Sequence, residues 1–202
     1  MTRSARDGKL ALARELRGRG GTAADTLRSD GVASRVRDER PGPAQVAAGG
    51  SRAAGHELQY ELLLEMIHEG SLLHYGAPAV LDDRDPCLAL LLGDQLYAMG
   101  LSRLAELGDL DAVAELADLI SLLAQARAES ADTESDELVM AIWDAGATAI
   151  GFGTSPEHET AKALARDGAP SATSALQRAA ARGDRDARLF VDGRLRSSFN
   201  GP

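Results

Sequence analysis

The chain has 202 residues, of which 44% are hydrophobic and only 3% aromatic, with one cysteine and a formal charge of −9. That length supports a real core without cross-links. The lone Cys87 excludes an intramolecular disulfide and any C-x-x-C zinc pair, and the acidic balance argues against general nucleic-acid binding. Ala and Leu dominate while β-branched residues are sparse, so packed helices are favoured over sheets. The richest apolar stretch, Cys87 to Leu92, is far shorter than a membrane span, and the start has no apolar leader segment. A reducing, cytoplasmic setting is the expectation.

Charge is unevenly placed. Residues 1–55 hold eleven basic and six acidic side chains, while the remainder holds eleven basic and twenty-five acidic. Lys9 and Lys162 are the only lysines; every other basic residue is Arg. Residues 1–55 are interrupted by Gly18, Gly20, Gly21, Gly31, Gly42, Gly49, Gly50 and Gly55 and by Pro41 and Pro43. Such a segment is expected to form a poorly ordered arm, with at most a frayed helix over Leu10 to Leu16.

The ordered domain is expected over residues 56–185. Leu58, Leu62, Met66 and Ile67 share one helical face, so a first helix runs from His56 to about His74, where Gly76 and Pro78 break it. Asp85-Pro86 signals the next start, with Asp85 as cap and Pro86 at the first helical position. That helix reaches Leu107, is apolar nearly all round at its start, and is expected to be the central buried helix. Gly108 suits its left-handed terminator. Asp109 caps a third helix over about 111–129, whose inner face carries Val113, Leu116, Ala117, Ile120, Leu123 and Ala124. A fourth, over about 136–150, carries Leu138, Ile142 and Trp143. Ser155-Pro156-Glu157 opens a fifth that continues to about Arg166, and Ser171 to Arg182 makes a sixth. The tail, 186–202, offers an Asp192-Gly193 hairpin turn. Short connections imply an antiparallel helical bundle, an all-α fold.

Two segments carry a resemblance. His68-Glu69-Gly70-Ser71-Leu72-Leu73-His74 is similar to the H-x-x-S-L-x-H stretch of the trans-prenyl diphosphate synthases, and Leu90-Leu91-Leu92-Gly93-Asp94-Gln95-Leu96-Tyr97-Ala98 resembles that family's L-A-G-D-x-L-L-A helix. They occur in the family's order. The resemblance implies a truncated isoprenoid-synthase fold, a helical bundle around an apolar cavity. In active members a DDxxD motif follows the second histidine, and its carboxylates hold the Mg²⁺ that offsets the charge of the leaving diphosphate. Here the matching positions are Tyr75, Gly76 and Ala79, none of which offers a carboxylate. The family's Arg-Arg-Gly segment, second aspartate-rich motif and Lys-Thr pair are missing, and the spacer before Gly93-Asp94 is shorter.

The resemblance therefore implies the scaffold without the chemistry: a noncatalytic subunit or pseudoenzyme, a homo- or hetero-oligomer with a prenyl synthase subunit, and no cofactor. On the same resemblance, His68, Ser71, His74 and Asp94 are the candidate substrate-contacting residues; Gln125, at i, i+4 from Ser121 and polar beside the apolar stripe of the third helix, is a further candidate to line a pocket. One alternative is a residual enzyme that binds an isoprenoid diphosphate through Mg²⁺ on Asp82, Asp83 and Asp85, although Asp85 already has a capping role. Another is an unrelated helical adaptor. Ser71 and His74 lack the oriented base and oxyanion hole that a serine nucleophile needs. Gly151-Phe152-Gly153-Thr154-Ser155 lacks the lysine of a phosphate loop and does not follow a strand. Cys87, set among leucines, is expected to be a small buried hydrophobe.

Overall fold

A computed structural model describes residues 3–29, 41–82, 84–129 and 133–181. Over these residues the protein is all-α. Its helices are α1 (Ala5–Arg19), α2 (Gly21–Asp25), α3 (Pro43–Ala48), α4 (Glu57–Tyr75), α5 (Pro86–Glu106), α6 (Leu110–Glu129), α7 (Thr133–Phe152) and α8 (Pro156–Arg166), followed by α9 over residues 172–181. Among the described residues there is no strand, only one antiparallel bridge between Leu27 and Leu81. None of their helices is long and apolar enough to cross a membrane.

Local chemistry sets the helix ends. At α5 the Asp85 carboxylate accepts the amides of Cys87 and Leu88, at 3.0 and 3.2 Å, and Pro86 opens the first turn. Gly108 takes φ +77° just beyond it. Asp109 accepts the Ala112 amide at 3.1 Å, and Ser155 accepts that of His158 at 3.2 Å ahead of α8. Asp85→Ala is expected to cost about 1 kcal/mol, read as a lower urea midpoint with an unchanged slope.

The chain divides into two compact units. The first comprises residues 1–48 and 56–113, the second residues 49–55 and 114–202. The units change over at 48/49, at 55/56, where glycine and proline placement puts a boundary, and inside α6 at 113/114, but residues 1–48 belong with residues 56–113 and do not stand apart from them. Residues 186–202, with the expected hairpin, lie outside the described residues.

In the first unit α4 and α5 run antiparallel. Gly100 sits against Ile67, Gly70 against Tyr97, and Gly93 against His74, so the partner residue falls along α4 as position rises along α5. A Cβ on Gly100 would lie 2.7 Å from the Ile67 side chain, so this crossing needs a glycine. Leu12, Leu16, Met66, Val80, Leu81, Leu92 and Leu96 form one buried cluster.

The expectation of a poorly ordered arm is corrected where the arm is described. Residues 3–29 and 41–48 carry α1, α2 and α3, and Leu12 and Leu16 are fully buried. A reciprocal capping box between Ser4 and Asp7 starts α1. Residues 30–40 lie outside the described residues. Two expectations for α5 are also corrected. Cys87 is exposed, and Leu90 and Leu91 are 47% and 67% exposed, so the apolar start of α5 is only half covered within this chain.

In the second unit α6 and α7 pair antiparallel, with Leu119 against Gly146 and Arg127 bonded to Asp136 at 2.6 Å. Leu116, Leu119, Leu123, Ile142, Ile150 and Leu176 are buried there. Residues 49–55 join this unit through the Arg52 amide, which donates to the Gly151 carbonyl at 2.9 Å.

Candidate functional site

Glu61, Glu65 and Glu69 recur every four residues, so α4 aligns them on one face. All three are buried, an arrangement tolerable only with full pairing. Lys9 of α1 supplies most of it. Its ammonium lies 3.0 Å from Glu65 Oε2, 3.4 Å from Glu69 Oε2 and 3.1 Å from His68 Nδ1. Arg3 Nε pairs with Glu61 at 2.7 Å, and the Gln45 amide of α3 donates to Glu61 and Glu65 at 3.1 and 3.0 Å. Burial opposes the charge on Lys9, but Glu65 and Glu69 more than offset it and hold its pKa above the ordinary value. Burial, and then the Lys9 charge, hold His68 well below the usual imidazole range.

His68 thus stays neutral in the folded state, while in the unfolded chain it takes a proton below about pH 6.5. The unfolded state then binds more protons, so stability present above that pH is lost progressively as pH falls. The expected slope is up to about 1.4 kcal/mol per pH unit below pH 6.5. Unfolding curves between pH 7 and 5 should show this slope and should lose it in His68→Gln.

Glu69 also fixes the loop after α4. Its carboxylate accepts the amides of Ala79, Val80 and Leu81, at 3.2, 2.6 and 3.0 Å. The same loop meets the arm: the Arg28 amide donates to the Val80 carbonyl at 3.0 Å, and the Asp82 amide to the Thr26 carbonyl at 2.9 Å. The residues at the positions compared with DDxxD are an exposed Tyr75, Gly76 and a buried Ala79.

The sequence-predicted site residues do not gather in one place. His68 faces Lys9, and the Ser71 hydroxyl donates back to the His68 carbonyl at 2.9 Å. His74 and Asp94 do meet: the imidazole Nε2 lies 3.1 Å from Asp94 Oδ1. The His74 ring stacks on Tyr97 at 5.3 Å between centroids, and Tyr75 lies at 5.5 Å. The Tyr97 hydroxyl is buried without a hydrogen-bond partner among the described residues, and burial pushes its pKa up. Gln125, in the second unit, donates to the Arg166 carbonyl at 2.8 Å, and Ser121 bonds its own helix at Ala117.

Asp82 and Asp85 share the rim of a surface groove of about 550 Å³ with Asp25, Thr26 and Arg84. Both carboxylates are already engaged. Asp82 pairs with Arg84 at 2.6 Å, and this bond holds its pKa low, while Asp85 caps α5. Asp83 lies outside the described residues.

Sequence reasoning missed a second ionic cluster, in the second unit. Lys162 of α8 reaches Glu115 at 2.6 Å, Asp118 at 2.8 Å and Glu159 at 3.0 Å, and His158 Nε2 meets Glu115 Oε1 at 2.5 Å. Glu115, His158 and Glu159 have ligand atoms in mutual reach of one cation, but the Lys162 ammonium already fills that role. Burial raises the Glu115 pKa, and its bonds to His158 and Lys162 bring it below the ordinary value. The available signal for both clusters was lysine usage, since the only two lysines in the sequence each centre one.

The fold and its polar interior define an all-α protein whose buried acids are neutralised from within the chain. No family model, curated protein or solved structure matches it.

Proposed function

We propose that this chain is a noncatalytic subunit resembling the trans-prenyl diphosphate synthases, acting beside a catalytic partner in isoprenoid biosynthesis. The observation that carries this reading is the loop after α4. Where those enzymes place metal-binding carboxylates, this chain has Tyr75 at the end of α4 and Gly76 and Ala79 in the loop, and Glu69 occupies three of the loop's amides. Of the aspartates that follow this loop, Asp82 is paired with Arg84 and Asp85 caps α5. Without metal-bridged neutralisation, ionising an allylic diphosphate would forfeit most of its electrostatic stabilisation. The half-covered Leu90 and Leu91 supply an apolar surface of the kind that a partner subunit would cover.

The test is incubation of the purified chain with an allylic diphosphate, isopentenyl diphosphate and Mg²⁺. No chain elongation is expected from the chain alone. Robust elongation would overturn the reading, and loss of that elongation in an Asp82→Ala, Asp83→Ala, Asp85→Ala variant would establish the metal-dependent alternative.

A further inference from the structure

Lys9 and Lys162 are the only ε-amines that the sequence carries, and both are buried at 4% exposure. A chain with twenty arginines and two lysines, both interior, places no lysine ε-ammonium on its surface. Guanidinium stays protonated and resists acylation, whereas a free ammonium in equilibrium with its amine is the target of acyl transfer and isopeptide formation.

Each lysine is closed in a different way. Lys9 is held among Glu65, Glu69 and His68, under a helix seated by Leu12 and Leu16. Lys162 is held by Glu115, Asp118 and Glu159, the last two of which keep side-chain exposures of 38% and 52%. Ion pairing also keeps each amine protonated, since both pKa values are raised above the ordinary lysine value.

We propose that the folded chain is shielded from every modification that needs a lysine ε-amine, and that Lys9 becomes a modification site for activated acyl donors when α1 leaves α4. In the reaction the freed, deprotonated amine attacks the acyl carbon of an acyl phosphate or thioester. A C–N bond forms, the C–O or C–S bond to the leaving group breaks, and the amine proton passes to solvent base. α1 is the element suited to opening. Among its large apolar side chains only Leu12 and Leu16 are fully buried, and most of its other anchors are polar: the ion pairs of Lys9, of Arg3 just ahead of the helix, and of Glu15 with Arg103 of α5, beside the smaller packing of Leu10 and Ala13. Its release would leave the α4–α5 crossing at Gly70, Gly93 and Gly100 in place.

The test is acetylation of the full chain by acetyl phosphate, with each lysine followed by peptide mass spectrometry. The Arg14→Lys variant places a reporter amine on the exposed side of the same helix. In native buffer this reporter should react at the rate of the urea-unfolded chain, while Lys9 and Lys162 should react at least about a hundredfold more slowly. In urea below the global unfolding midpoint, Lys9 should accelerate before Lys162, and Glu65→Gln should accelerate Lys9 alone. Native acetylation of Lys9 or Lys162 within about tenfold of the unfolded rate would overturn the shielding. Acceleration of Lys9 and Lys162 together along the urea series would overturn the role of α1 as the gate.

Discussion

Lys9→Met is expected to destabilise the first unit by about 3–5 kcal/mol, because removing one partner of a buried pair strands the other. Methionine fills the volume of the lysine stem but leaves Glu65 and Glu69 buried without the ammonium that now lies 3.0 and 3.4 Å away. Urea unfolding followed by circular dichroism would measure the loss. Adding Glu65→Gln to the Lys9→Met variant should recover part of it, because one uncompensated charge disappears. The wild-type contribution has a defined pH range. The Lys9 pKa is raised above 10.5 in the folded state, so the stabilisation is complete at neutral pH and is lost only as pH rises through that raised value. A Lys9→Met chain as stable as wild type would mean that the carboxylates find other partners.

Glu69→Ala should have a comparable effect, about 3–5 kcal/mol, with a more local signature. The carboxylate serves three backbone amides and Lys9 at once, and it is fully buried. Its removal orphans donors that water cannot reach. Hydrogen exchange at Ala79, Val80 and Leu81 should accelerate well beyond the change in global stability. Glu69→Gln should fall between the two, since its amide oxygen can still accept from Val80 and Leu81 while its NH₂ faces the Ala79 amide and Lys9 as a competing donor. Unchanged exchange at these amides in Glu69→Ala would show that the loop is held by its bridge to residues 26–28 instead.

Much of the helical framework was legible because its signals are local. Asp85-Pro86, Asp109 and Ser155-Pro156 each mark a helix start through a bond that spans two or three residues, and all three helices begin there. Gly108 ends α5 for an equally local reason, its positive φ. The Ser4–Asp7 capping box of the arm is an equally local signal that went unread, but what seats the arm comes from distant partners. Lys9 and Arg3 are ordinary basic residues until α4 presents Glu61, Glu65 and Glu69 to them. Glycine was also misleading there. Gly50, one of the glycines that reads as an interruption, has the Gly151 backbone packed where a Cβ would stand, so there the glycine is one the packing requires.

The exposure of α5 was illegible for another reason. Periodicity shows that Cys87, Leu90 and Leu91 are apolar, but a helix apolar on all sides does not declare which side its own chain leaves open. Of the candidate site residues, His74 and Asp94 were found together, while His68 and Gln125 serve contacts that no motif announces. The spacing of Glu61, Glu65 and Glu69 was visible throughout. Without a known partner it reads as a solvated acidic face, and only the burial of Lys9 reverses that reading.

The grip of Glu69 on residues 79–81 also constrains what this chain could become. Writing an aspartate into position 79 would set a new negative charge in a buried spot, beside a glutamate already bonded to the backbone there. Two neighbouring anions of that kind drive one another toward protonation instead of toward a cation. Position 79 is therefore closed to a cation-binding aspartate by a single substitution, and the loop would have to be released from its glutamate before a carboxylate placed there could bind a cation.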